Sequence, residues 1–337
     1  MTRPAAPAAP AAAADAADAA DVPTPARSAT RAPAKKAPAK RSPAKRAPRA
    51  SKTPAVPANR ASSGQRAAKR AVRAKRAPAR SDRLGSPGTG VLVTGGASGI
   101  GRETALAVAE VGRPVAIWDV DAAGAEETAT MCHERFGVVS DWTVIDVADS
   151  PAVAVEVPRT AAALGSLGGF VHAAGVSGPM SVDFIDDATW DRTLDVNLRA
   201  AAMICKALLG PFGEAGPGSS VVLISSIEGL FGSIMLTAYC ASKAGVLGVM
   251  RSIAHRYAME GFRINAVCPG AVDTPMLSPA FDIPGYRRQI EERTPLGRIA
   301  TPDEIARPVR FLLSDEASFV TGTHLTVDGG MTSITAI

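Results

Sequence analysis

The stretch Val91-Leu92-Val93-Thr94-Gly95-Gly96-Ala97-Ser98-Gly99-Ile100-Gly101 decides the fold. Val91–Thr94 is a short apolar run of strand-forming residues. The glycines that follow permit a tight turn, and Arg102–Val111 carries the apolar spacing of an amphipathic helix. In a strand, glycine turn and helix in that order, the backbone can approach a pyrophosphate closely. The helix N-terminus then supplies amide donors and the positive end of a dipole.

The same alternation continues along the chain. Strands are expected at Pro114–Trp118, Val138–Ile145, Gly168–His172, Ser219–Ser225, Arg263–Val267 and His324–Val327. Helices are expected from Ala122, over Ala188–Leu209, through Tyr239 to about Met259, and over Pro302–Ser314. Alternating strands and helices predict an α/β fold, a Rossmann-type doubly wound parallel sheet of about seven strands with helices on both faces. Ligands bind such sheets beyond the carboxyl ends of the strands, and Asp119, Ser226 and Pro269-Gly270 all fall at such ends. Asp119 lies 18 residues beyond Gly101, where a carboxylate meets the adenosine ribose of a dinucleotide. A carboxylate there repels a 2′-phosphate, so NAD is expected over NADP. Asp is equally suited to capping the helix that starts at Ala122.

A second stretch carries the chemistry, Tyr239-Cys240-Ala241-Ser242-Lys243. Tyr and Lys four apart on a helix share one face. A phenol titrates near 10, and a cation one turn away favours its phenolate, which makes the pair a candidate acid/base unit. A buried Tyr beside a surface Lys would give the same pattern. Asn197 falls inside a predicted helix, where Asn is a poor interior residue and calls for a reason.

Charge divides the chain. Residues 1–88 hold 20 Lys/Arg against 4 Asp/Glu, a net +16, and residues 89–337 hold 17 against 28, a net −11. The first segment is Ala/Pro/Lys/Arg-rich, as in Ala32-Pro-Ala-Lys-Lys-Ala-Pro-Ala-Lys-Arg41. It cannot bury enough apolar surface to offset chain entropy and is expected to be disordered, with a basic helix possible over Gln65–Arg80. Its composition resembles linker-histone tails, which implies weak, non-specific binding to nucleic acid phosphates. A solvated extension without a role fits equally, and early acidic residues and prolines argue against a transit peptide. The 249 residues that follow are long enough for one folded domain with a sizeable core. Cysteines at 132, 205, 240 and 268 and the four scattered histidines have no metal-ligand spacing, so no metal is expected. No secretory signal or membrane span is read, and a reduced cytoplasmic setting is expected.

Thr94-Gly-x-x-x-Gly-x-Gly101, Asn197, Ser226, Tyr239-x-x-x-Lys243, Pro269-Gly270 and Asp328-Gly-Gly330 together resemble the short-chain dehydrogenase/reductase family. The resemblance covers essentially all of residues 89–337. It implies a catalytic set of Asn197, Ser226, Tyr239 and Lys243. Tyr239 would be the general acid/base, Lys243 would hold the nicotinamide ribose and lower the phenol pKa, Ser226 would bind the substrate oxygen, and Asn197 would position a water. The implied cofactor site is Gly95, Ser98, Gly99, Ile100 and Gly101, with Asp119 on the ribose and Asp146-Val147 at the adenine. Ala174, Gly175, Pro269, Gly270, Val272 and Thr274 complete it, alongside Asn197, Tyr239 and Lys243. One departure stands out: His172-Ala-Ala-Gly175 replaces the family's frequent Asn-Asn-Ala-Gly, and His172 is read as structural.

The implied activity is NAD(H)-dependent hydride transfer between a secondary alcohol and its ketone, by a homo-oligomer, a tetramer or dimer. A lid is expected over Met276–Arg298, whose apolar residues favour an alicyclic substrate. A 3-oxoacyl thioester reductase is the rival enzyme. A non-catalytic NAD-binding module with a nucleic-acid-binding tail is the rival from another class, and the four catalytic-type residues argue against it. Glu228 either faces the pocket or is a surface carboxylate.

Overall fold

A computed structural model describes residues 88–333. The expectations for the basic segment, including Gln65–Arg80, lie outside the described residues.

Seven parallel strands form one sheet in the order β3-β2-β1-β4-β5-β6-β7. They are β1 Gly90–Thr94, β2 Val115–Asp119, β3 Ser140–Val144, β4 Leu167–His172, β5 Ser220–Ile224, β6 Arg263–Pro269 and β7 His324–Val327. The helices are α1 Gly99–Glu110, α2 Ala122–Phe136, α3 Ser150–Leu164, α4 Asp187–Leu194, α5 Ala200–Ala207, α6 Leu209–Ala215, α7 Thr237–Ala258, α8 Tyr286–Arg293 and α9 Pro302–Leu313. Winding reverses between β1 and its neighbour β4, which creates the crevice typical of ligand sites in open parallel sheets.

Strand alternation explains the two layers. Leu92, Phe170, Val221, Leu223, Ile264 and Ala266 join one buried cluster with residues of α3, α5, α6 and α7. Their strand neighbours Val91, Val93, Val171, Val222 and Val267 join the other, with residues of α1, α2 and α9. Side chains two apart share a face, and both faces are covered, so the central strands read as continuous apolar runs. Each buried aliphatic side chain contributes about 1.5–3 kcal/mol of transfer free energy.

The sequence predicts one helix over Ala188–Leu209. The structure breaks it into α4, a π turn at Asp195–Arg199, α5 and α6. Asn197 lies in that wide turn. A π turn displaces backbone carbonyls from the regular ladder, and His172 takes up one of them. Its Nε2 donates to the Val196 carbonyl at 3.1 Å, while Thr94 Oγ1 lies 3.0 Å from Nδ1. Only an N–H can bond a carbonyl, so Nε2 carries the proton and the threonine hydroxyl donates to Nδ1. His172 therefore braces the end of β1 against the π turn, in keeping with its structural reading.

Candidate active site

A cavity of about 300 Å³ lies over the carboxyl ends of β1, β2 and β4. Gly95, Ser98, Gly99, Ile100, Gly101, Asp119, Asp146, Val147, Ala174, Gly175 and Thr274 all line it, so the structure brings eleven of the residues singled out by sequence into one place. The glycines are needed there for close approach. A Cβ on Gly101 would lie 2.0 Å from the Gly95 carbonyl oxygen, and one on Gly95 would lie 2.5 Å from the Ala174 nitrogen. Ser98 is the N-cap of α1 without a side-chain cap hydrogen bond, so the first-turn amides are left for another acceptor. A glycine cradle ending in an uncapped helix N-terminus fits the pyrophosphate of a dinucleotide.

Asp119 closes β2 at the far side. Its carboxylate accepts from Ala97 N at 2.9 Å and from Asp121 N at 3.1 Å, which fixes its orientation beside the glycine turn. Asp121, not Asp119, caps α2, accepting from Gly124 N at 3.2 Å. Arg102, the nearby cation, is occupied by the Ala97 carbonyl and by Glu127 at 2.6 Å.

Asp146 accepts from Ala148 N at 3.0 Å and pairs with Arg192 of α4 at 2.7 Å. Burial opposes ionisation of Asp146, but these two partners outweigh it and hold its pKa below the usual carboxylate value. Arg192 also lines the cavity and was missed by sequence reading. No local signal marks it, because its partner lies 46 residues away.

The catalytic-type residues cluster behind Gly175. A Cβ there would lie 3.3 Å from Asn197 Oδ1 and 3.6 Å from Lys243 Nζ, so Gly175 is the window between the cleft and this cluster. The Asn197 side chain donates to Val176 O and to Ser242 Oγ, both at 3.0 Å, and accepts from Val176 N at 2.9 Å. It thus ties the π turn to α7 one residue before Lys243. The Ser226 hydroxyl lies near enough to the Tyr239 phenol to lower its pKa.

Buried Lys243 donates to the Ile224 carbonyl at 2.9 Å, and its Nζ lies 5.4 Å from the centre of the Tyr239 ring. Burial lowers its pKa to about 8. Tyr239 goes the other way from the sequence expectation. Burial pushes the phenol up to about 12; the Ser226 hydroxyl offsets part of this, and the Glu228 carboxylate adds to the rise. Lys243 does not depress it here, because the ammonium bonds a carbonyl and lies over the ring instead of at the hydroxyl.

The remaining expected residues are close by but differently engaged. Pro269 ends β6, and Gly270 packs so tightly on Asp328 that a Cβ would lie 2.9 Å from the Asp328 Cα. The Val272 side chain is buried in the core and its backbone bridges Ala300, so only its backbone could meet a cofactor. The predicted lid holds a short 3-10 turn at Ser278–Asp282 followed by α8. Among the described residues no group of three His, Cys, Asp or Glu side chains could hold a metal ion, and no helix is long and apolar enough to cross a membrane.

Comparison with known proteins finds dehydrogenase and reductase relatives over the same residues. Residues 95–332 match a family model described as enoyl-(acyl carrier protein) reductase. A cis-4-hydroxycyclohexanecarboxylate dehydrogenase from Sinomonas cyclohexanicum is 42% identical over 245 residues, covering 72% of this chain and 96% of that protein. A 3-oxoacyl-[acyl-carrier-protein] reductase from Chlamydia muridarum is 33% identical, covering 71% and 96%. The crystal structure of levodione reductase superposes with a TM-score of 0.69 at 34% identity, covering 73% of this chain and 98% of that one.

Proposed function

The chain is an oxidoreductase of the short-chain dehydrogenase/reductase family, and from that premise we propose that it interconverts a secondary alcohol and its ketone with NAD(H). The observation that carries this reading is Tyr239 beside buried Lys243 on α7, with Lys243 and Asn197 reaching the glycine-lined cleft at Gly175. Nicotinamide, when bound, supplies or accepts the hydride. The chain orients the substrate and handles the proton. Ser226 Oγ and Tyr239 Oη hold the substrate oxygen, and Tyr239 gives it a proton in reduction or takes one in oxidation. Lys243 and Asn197 hold the nicotinamide ribose and a proton path to solvent.

NAD is favoured over NADP because Asp119 presents a carboxylate where a 2′-phosphate would sit, while Arg102 is already occupied. Exposed Phe184, Phe231, Met235 and Met276, all on loops that follow strands, support a substrate with an apolar alicyclic body. The relative that acts on a hydroxycyclohexane carboxylate points the same way. A 3-oxoacyl thioester is the alternative, supported by the reductase relative. By family resemblance the chain assembles as a dimer or tetramer through the Asn197- and Tyr239-bearing helices. The four free thiols suit a reducing, cytoplasmic compartment. The +16 segment gives the chain a separate, weak affinity for nucleic acid.

Titration of the purified chain with NADH and NADPH, followed by an alcohol and ketone panel with the tighter cofactor, tests the proposal. NADH-linked turnover of a secondary alcohol is expected. Tighter binding of NADPH would overturn the cofactor assignment. Activity confined to 3-oxoacyl thioesters would favour the alternative substrate class.

A further inference from the structure

Glu228 stands two residues beyond Ser226 on the 3-10 turn Ile227–Gly229, and its N–H donates to Ser226 Oγ at 3.1 Å. That turn is fixed against α7. Ser225 Oγ donates to the Lys243 carbonyl at 2.8 Å, and a Cβ on Gly229 would lie 2.8 Å from the same oxygen. The position of residue 228 relative to the Ser226–Tyr239 pair is therefore set by packing. The Glu228 side chain is half-buried, and its carboxylate has no hydrogen-bond or ion-pair partner among the described residues. Its charge is felt at both Tyr239 and Cys240. Burial alone raises its own pKa, with no cation to offset it.

An unpaired, half-buried carboxylate is costly to cover with an apolar substrate, because it loses water and gains nothing in return. A substrate that carries its own donor removes that cost. We propose that Glu228 is a specificity residue that accepts a hydrogen bond from a hydroxyl or ammonium on the carbon next to the reacting one, so that vicinal diols, amino alcohols and the matching ketones are preferred over simple alcohols. This rests on the alcohol/ketone reading above. By the same electrostatics, an acid anion at that position is rejected.

The test compares 1,2-cyclohexanediol with cyclohexanol in the full-length wild type, Glu228→Gln and Glu228→Leu. Wild type should favour the diol by about tenfold or more in kcat/KM, the scale of a hydrogen bond to a charged group. Glu228→Leu should remove or reverse that preference, read as the diol-to-cyclohexanol ratio because loss of the charge also eases ionisation of Tyr239 for both alcohols, and Glu228→Gln should fall between. An unchanged diol-to-alcohol ratio in Glu228→Leu overturns the specificity role and leaves the alcohol/ketone activity standing. A second readout needs no turnover and decides the matter if wild type oxidises neither alcohol. Cys240 is the only one of the four cysteines that is not buried, and iodoacetamide attacks its thiolate. With NADH present, the diol should protect Cys240 better than cyclohexanol in wild type, less so in Glu228→Gln and no better in Glu228→Leu. Glu228→Gln should also be alkylated several-fold faster at pH 8, because a nearby negative charge has gone. Equal protection by the two alcohols in wild type would overturn the proposal.

Discussion

Lys243 and Tyr239 lie one turn apart on α7, yet the ammonium bonds the Ile224 carbonyl at 2.9 Å and sits 5.4 Å from the centre of the phenol ring. The tyrosine is thus protonated at neutral pH, with its pKa pushed up to about 12 by burial. On the proposed mechanism, Tyr239→Phe removes the hydroxyl that moves the proton while keeping the ring that packs beside Lys243. Turnover should fall by about 10²–10⁴-fold, with NADH affinity changed little. Steady-state kinetics and NADH fluorescence titration check the two halves, and wild-type turnover in the variant would end the acid/base assignment. Alcohol oxidation needs the phenolate, so its rate in wild type should climb with pH.

Gly101 faces the Gly95 carbonyl with no room for a side chain. Gly101→Ala should displace the turn and weaken NADH binding at least about tenfold, a change on the order of 1.4 kcal/mol. A melting curve with and without NADH separates loss of the site from loss of the fold.

Asp119 is held by two backbone N–H groups, so a replacement should keep an acceptor. Asp119→Asn keeps the shape and removes the charge. The ratio of NADPH to NADH affinity should rise by about tenfold, measured by fluorescence titration, from the lost repulsion of the 2′-phosphate. An unchanged ratio would mean that Asp119 does not select the cofactor.

His172 is fully buried and neutral, its pKa lowered from the usual 6.5 to about 4, chiefly by burial and further by Lys243. Unfolded, it would take up a proton already near pH 6.5. The unfolded state therefore binds more protons between pH 6.5 and 4, and stability is lost as pH falls through that window. The loss from this one residue is about 3 kcal/mol. His172→Asn should have lower stability at pH 7 but a flatter profile from pH 6.5 to 4, read as urea midpoints across that range. Parallel profiles for the two proteins would exclude His172 as the source.

The +16 segment can be tested by deletion. The full chain should bind duplex DNA weakly at low salt, with affinity falling steeply as salt rises, and a form starting at Gly88 should not. Equal binding by both forms would remove the nucleic-acid reading, and NADH turnover should be the same in each.

The sequence by itself determined the alternation of strands and helices, the glycine cradle after β1 and the shared face of Tyr239 and Lys243. These are encoded in spacings of two to seven residues, within which backbone geometry fixes which side chains lie together. Tertiary structure alone decided the π turn around Asn197, the bracing of that turn by His172, the Arg192–Asp146 pair and the upward shift of the Tyr239 phenol. Each depends on partners brought together by the strand order, in which β1 pairs with β4 and residues 94 and 172 become neighbours. Lys243 shows the difference most plainly. Helical periodicity places it beside Tyr239, but its ammonium goes to the nearest carbonyl acceptor, and that is supplied by the end of β5.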